Sequence, residues 1–229
     1  MRLSKRRKEI NNRVDTDKAY SIDEAVELLQ SCPEPKFNES LEFSMKLGID
    51  PKKSDQMVRG NVFLPHGTGK QMRIAVFAKG DKAEEAKAAG ADIVGEDDLF
   101  DKINGGWFEF DALIATPDMM RLVGRLGKIL GPRNLMPTPK AGTVTLDVKR
   151  AVEELKAGRV EFKNNKMGVV NVACGKRSFT KEQLAENVRA LIAAIVKAKP
   201  PSAKGYIQSL ALSTTMGPGL AIQSRELAL

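Results

Sequence analysis

Leu41-Glu42-Phe43-Ser44-Met45-Lys46-Leu47 alternates apolar and polar residues at every step, whereas Ile74-Ala75-Val76-Phe77 and Ala112-Leu113-Ile114-Ala115 are apolar throughout. Side chains along a strand point alternately to its two faces, so the first pattern predicts a strand with one wet face. The unbroken runs predict strands covered on both faces, as in a parallel sheet between helices. One chain therefore carries two kinds of sheet.

Around the alternating strand, Met57 to Leu64 reads as a second strand, separated from it by the polar turn Ile49 to Asp55. The two form either a hairpin with a long loop or two strands of one sheet. Upstream, Ser21-Ile22-Asp23-Glu24 is a capping-box pattern opening a helix whose apolar face holds Ile22, Ala25, Val26, Leu28 and Leu29, with Pro33 and Pro35 stopping it. Around the unbroken runs, Lys82 to Ala89 reads as a helix ending at Gly90, Asp92 to Gly95 as a strand, and Glu96 to Ile103 as a helix. Asp147 to Ala157 predicts the last helix of this stretch. Beyond it alternation returns. Val160 to Lys163 and Val169 to Cys174 read as a hairpin around Asn164-Asn165-Lys166, Thr180 caps a helix reaching Lys199, and Tyr206 to Ser213 reads as a final strand.

The charges divide the chain at the same places. Of the net +8 on 229 residues, residues 67 to 159 hold 15 bases against 14 acids, residues 1 to 66 hold 12 against 11, and residues 160 to 229 hold 10 against 4. The predicted class is α/β: a split α+β domain of about five strands and two helices from residues 1–66 and 160–229, interrupted by a three-layer, Rossmann-like α/β domain at 67–159. The basic excess points to a polyanionic partner. No apolar run reaches the ~18 residues that a bilayer requires, and the basic start leads into polar residues, so a cytoplasmic protein without a membrane segment is expected. Cys32 and Cys174 suit a reducing compartment as free thiols. The opening cations Lys5, Arg6, Arg7, Lys8 and Arg13 read as a basic arm, either a solvated tail or a segment that orders on nucleic acid.

Catalytic readings find little support. His66 is the only histidine, which excludes a multi-histidine metal site and leaves any triad dependent on that one residue. Lys79-Gly80-Asp81-Lys82-Ala83 lacks the glycines of a dinucleotide fingerprint, and Gly124 to Arg133 lacks the Gly-Lys-Ser/Thr end of a phosphate loop. A small-molecule α/β enzyme with a basic surface remains the alternative. His66-Gly67-Thr68-Gly69 reads as a linker at the first crossing, with Gly158 at the return, together a plausible hinge.

Three segments carry candidate binding chemistry. Gly127 to Thr143 interleaves cations with glycine and proline and reads either as an exposed loop meeting phosphates or as an ordinary irregular connection. Ser202 to Ser209 and Ser213 to Gly219 offer hydroxyls and close backbone approach, which suits RNA, or else form a strand end with a turn. Lys36-Phe37-Asn38-Glu39-Ser40 sets a cation beside an aromatic ring at a sheet edge, where the ring either stacks on a base or is buried. Interleaved aromatics of an RNA-recognition module are missing, so shape, ribose and phosphate contacts fit better than stacking.

Gly127 to Thr143 and Ser202 to Gly219, with Leu47-Gly48-Ile49-Asp50-Pro51 and Ala115-Thr116-Pro117-Asp118, closely resemble the universal "L-one" family of large-subunit ribosomal proteins, at the mobile stalk beside the tRNA exit site. The resemblance covers essentially the whole chain, at the length of the bacterial form. It implies a non-enzymatic constituent of the ribosome that binds large-subunit rRNA, assists release of deacylated exit-site tRNA, and represses its own operon mRNA. A monomer off the ribosome with no cofactor and no metal is expected. By that likeness Lys36, Phe37, Ser40, Glu42, Ser209, Thr215, Met216 and Gly217 fall on the RNA-contact surface, with Ser40 where many relatives carry threonine. Glu42 is expected to accept a hydrogen bond from a ribose hydroxyl or a base amino group, which is how a carboxylate can serve on an RNA surface.

Overall fold

The computed structural model describes residues 4–15, 18–139, 142–201, 203 and 205–223. The chain divides into two units, one from residues 1–69 and 160–229, the other from 70–159. Elements of the first unit before the crossing are α1 (Lys5–Arg13), β1 (Ala19–Tyr20), α2 (Ile22–Ser31), β2 (Ser40–Leu47) and β3 (Arg59–Phe63). The second unit holds β4 (Ile74–Phe77), α3 (Asp81–Ala88), β5 (Ile93–Gly95), α4 (Asp97–Asn104), β6 (Ala112–Ala115), α5 (Met120–Arg125), α6 (Gly127–Leu130) and α7 (Val148–Lys156). The chain returns through β7 (Arg159–Lys163), β8 (Val169–Lys176), α8 (Lys181–Lys197), β9 (Ile207–Thr214) and β10 (Gly219–Ile222).

In the second unit the unbroken apolar runs form a parallel sheet of order β5-β4-β6. Every residue of β4 is buried, and the strand's two faces feed two separate cores. Ala75 and Phe77 pack with Leu99, Ile103, Val123, Leu126 and Leu130 from α4 to α6, while Ile74 and Val76 pack with Ala86 of α3 and Val148, Val152 and Leu155 of α7. This is the three-layer arrangement that such runs require.

The first unit is built on a five-stranded sheet of order β1-β10-β9-β2-β8. Leu41, Phe43, Met45 and Leu47 of β2 face a core shared with α2 and α8. Both helices carry the capping box that fixes their entry: Ser21 with Glu24, and Thr180 with Gln183. Asn187 is buried inside the stripe of α8; its amide donates to the carbonyls of Gly67 (3.0 Å) and Cys174 (2.8 Å) and accepts from the His66 amide (3.2 Å). His66 and Gly67 thereby stay with the first unit. The imidazole Nε2 of His66 lies 2.6 Å from Glu186.

Several sequence expectations are corrected here. The described part of the opening segment, from Ser4, is a helix and not a tail: Ser4 caps α1 and Ile10 is buried. β3 makes neither a hairpin nor a shared sheet with β2, because it pairs with β7 in a sheet of two strands. The β7–β8 hairpin persists only for the bridge between Asn164 and Val170, after which its arms enter different sheets. Asn164 drives the separation by accepting at its side-chain Oδ1 from the Val58 amide (2.9 Å) and donating its backbone N–H to the Val58 carbonyl (3.0 Å), which ties β7 to β3. Strand β9 is not the last. β10 follows and holds the short β1 in parallel, so the unit has seven strands and three helices among its described residues where about five and two were expected.

Cys32 and Cys174 are free and buried. Burial pushes the Cys174 thiol up from 9.0 to about 12, and burial likewise raises that of Cys32 against the pull of Arg177 and Arg13. At about pH 8 neither thiol of the native protein is expected to react with an alkylating reagent, and both react in denaturant. The stabilisation from keeping Cys174 neutral is complete below about pH 9 and is lost as pH rises toward about 12, since the unfolded thiol ionises first. Mass-spectrometric labelling checks this; fast modification of Cys174 in the folded chain would contradict it.

Candidate nucleic-acid interface

Antiparallel pairing of β2 with both β8 and β9 brings three chain segments to one end of the sheet. Ser40 pairs with Lys176 across one side and Leu41 with Thr214 across the other. The hydroxyl of Thr215 accepts from the Ser40 amide (3.1 Å), and the Thr215 amide donates to the Ser40 carbonyl (3.1 Å). Lys176 Nζ donates to Ser40 Oγ (2.9 Å), and the Asn38 amide donates to Ser178 Oγ (3.0 Å). Thr214, Thr215, Met216 and Gly217 form a turn closed by the Gly217 amide on the Thr214 carbonyl (3.0 Å). A side chain at Gly217 would meet the Thr214 hydroxyl, which lies 2.1 Å from where its Cβ would stand.

Beneath this surface lies a buried carboxylate. Glu39 has no exposed side-chain surface, and it accepts from Arg177 (3.0 Å), from Arg6 of α1 (3.5 Å) and from the backbone amide of Met216 (2.8 Å). Arg177 also donates to the carbonyls of Gln30 (2.6 Å) and Cys32 at the end of α2. A buried acid is tolerable only when paired and hydrogen-bonded. The pairing here fixes the 36–40 segment, the end of β8 and the Thr215 turn against one another.

Above that support, Phe37 is 52% exposed and Met216 56% exposed, two apolar side chains standing in solvent. An open groove of ≈ 460 Å³ runs past Lys36, Phe37, Asn38, Arg177 and Ser178. The outer face of the sheet continues from this end. Glu42, Ser44 and Lys46 alternate outward on β2 beside Ser213, Ala211 and Ser209 on β9 and Ala173, Asn171 and Val169 on β8. Ser44, Ser209, Ala211, Ser213 and Ala173 leave low ground between the longer Glu42 and Lys46, where a ribose–phosphate backbone can approach closely.

The sequence matches the ribosomal protein L1p/L10e family over residues 28–218. The chain belongs to this family. It is 60% identical over 226 residues to the large ribosomal subunit protein uL1 of Protochlamydia amoebophila, covering 98% of this chain and 96% of that one. With the uL1 protein of Chlamydia pneumoniae it shares 58% identity over 224 residues, 97% of each chain. The L1p/L10e family is one of ribosomal proteins and not of enzymes, which removes the small-molecule enzyme alternative.

Of the residues singled out in this L1p/L10e sequence, Lys36, Phe37, Ser40, Thr215, Met216 and Gly217 gather at one end of the sheet, and Glu42 stands two residues inward on the open face. Ser209 shares that face but sits opposite Lys46, about 13 Å further along the strand direction. The 36–40 segment does not lead to a sheet edge, because β2 lies between β9 and β8. Lys176, Arg177 and Ser178 escaped notice. Their signal was present as two cations where an alternating strand ends, but only pairing with β2 gives it meaning.

Gly127 to Thr143 is more built than a solvated loop. It opens as α6, buries Leu130 and Pro137, and closes with Thr138 and Thr143 hydrogen-bonded to each other. Arg133 covers the ring of Phe108 at 3.9 Å from its centroid. Lys140, Ala141, Ser202 and Lys204 lie outside the described residues. Among the described residues no group of three or more His, Cys, Asp or Glu could hold a metal ion, and no helix is long and apolar enough to cross a membrane.

Proposed function

We propose that the first unit is an RNA-binding domain that grips large-subunit ribosomal RNA with Lys36, Phe37, Ser40, Glu42, Ser209, Thr215, Met216 and Gly217. The observation carrying this reading is the pair of exposed apolar side chains, Phe37 and Met216, carried by the two segments that Ser40 and Thr215 interlock at the head of an open sheet face. Hydroxyls, backbone and one carboxylate suit ribose and base edges, and Lys36 and Lys176 suit phosphates. The names borne by the relatives support the ribosome as its setting. On this reading the chain is a cytoplasmic constituent of the large subunit at its mobile stalk. There it assists release of deacylated tRNA from the exit site. It represses its own operon mRNA by binding a similar fold there, and it is a monomer off the ribosome.

Filter binding to a large-subunit stalk RNA fragment tests the reading. Affinity should fall by roughly 0.7 to 0.9 log units per log unit of salt for every phosphate neutralised. Glu42→Gln should reduce the preference for the RNA over its 2′-deoxy counterpart. Salt-independent or absent binding would overturn the function, and an unchanged ribo-to-deoxy ratio would overturn the part given to Glu42.

A further inference from the structure

The helix α1 is tied to the buried carboxylate that supports the proposed RNA face. Arg6 spans the tie: its guanidinium donates to Glu39, the carboxylate that holds the Met216 amide, and to the Pro33 carbonyl (3.0 Å). One helical turn on, Ile10 is buried, and Arg13 donates to the carbonyl of Ser31 at the end of α2 (2.6 Å). Residues 6, 10 and 13 recur at the spacing of one helix face, so that face is fixed to the unit and the opposite one is free.

The opposite face is cationic. Lys5, Arg7 and Lys8 are exposed. The acids around them are engaged elsewhere: Glu9 with Arg13 (2.8 Å), Glu39 with Arg6 and Arg177, and Glu34 with Arg177 (3.7 Å). Among the described residues no carboxylate pairs with Lys5, Arg7 or Lys8. The start of the helix adds its own positive end to these charges.

We propose that α1 is a second phosphate-binding element of the RNA interface, in which Lys5, Arg7 and Lys8 hold the backbone of the same RNA strand segment that the Ser40–Met216 surface contacts. It rests on the RNA-binding reading above. A disordered basic tail would lose conformational freedom on binding; this helix is already capped by Ser4 and anchored by Arg6 and Ile10, so its cations are presented without that loss. Contacts of this kind add affinity and salt dependence but read no sequence and no sugar.

The test is the triple variant Lys5→Gln, Arg7→Gln, Lys8→Gln in the full chain, compared with the unaltered chain on the stalk RNA fragment and its 2′-deoxy counterpart across a salt series. Glutamine keeps helix propensity, and Ser4, Arg6 and Ile10 stay in place, so circular dichroism should not change. The expected result is a salt slope shallower by about 2, with affinity about 10- to 100-fold weaker near physiological salt and the ribo-to-deoxy ratio unchanged. An unchanged slope with intact binding by both proteins would overturn the role of α1 alone. A changed ribo-to-deoxy ratio would overturn its assignment as a phosphate-only element, and failure of the unaltered chain to bind would overturn the RNA-binding reading with it.

Discussion

Met216→Asp is expected to weaken binding of the stalk RNA by about 3 kcal/mol, roughly a hundredfold or more. Two losses combine. The exposed thioether offers an apolar contact that is unmade in the free protein, and on the proposed RNA-binding reading the new carboxylate would face phosphates. The fold should tolerate the change, because the side chain packs into no core and the bond that places this residue runs from its backbone amide to Glu39. Met216→Leu keeps the apolar contact and should retain most of the affinity. Filter binding at one fixed salt concentration decides between them; equal affinities for Met216→Asp and the unaltered chain, with both folded, would remove Met216 from the interface.

The largest effect on stability is expected at Asn187. Replacing it with leucine keeps the branched shape and the number of heavy atoms but strands the amide of His66 and the carbonyls of Gly67 and Cys174, the buried ones among them without access to water. Leaving buried polar groups unpaired costs about 1 to 3 kcal/mol for each, and partial relaxation should bring the net near 3 kcal/mol. For a chain of this size that corresponds to roughly 6 to 12 °C in the melting temperature of the first unit. Hydrogen exchange at the His66 amide should rise together with the fall in melting temperature. A shift below about 2 °C would mean that water or neighbouring groups satisfy these atoms without the side chain.

Both predictions depend on residues whose partners are far away in sequence, and this marks where reading the chain alone stops. Period two from Leu41 to Leu47 and the unbroken run from Ile74 to Phe77 are local properties, and each determines how many faces of its strand are covered. Capping chemistry is local too, so Ser21 with Glu24, and Thr180, were legible as helix starts. Strand partners are not local. Nothing in Met57 to Leu64 says that it pairs with β7 some hundred residues on, and nothing in Val160 to Cys174 says that one hairpin divides between two sheets. Asn164 makes that choice through hydrogen bonds with Val58.

The amino-acid order was therefore sufficient for the two kinds of sheet, for α2, α3, α4, α7 and α8 among the helices that cover them, for the basic flanks, and for the family to which the chain belongs, because periodicity, caps and motif residues act over a few positions, whereas α5 and α6 showed only in the folded chain. Assembly of the interface was left to the folded chain. Glu39 reads as an acid awkwardly placed on a surface expected to meet RNA until folding buries it against Arg177 and Arg6, where it becomes the support for Met216. The opening cations read as a basic arm, either solvated or ordered on nucleic acid, until Ile10 is buried and Arg6 reaches Glu39. In both cases the deciding terms are desolvation and pairing, and these exist only once distant segments have met.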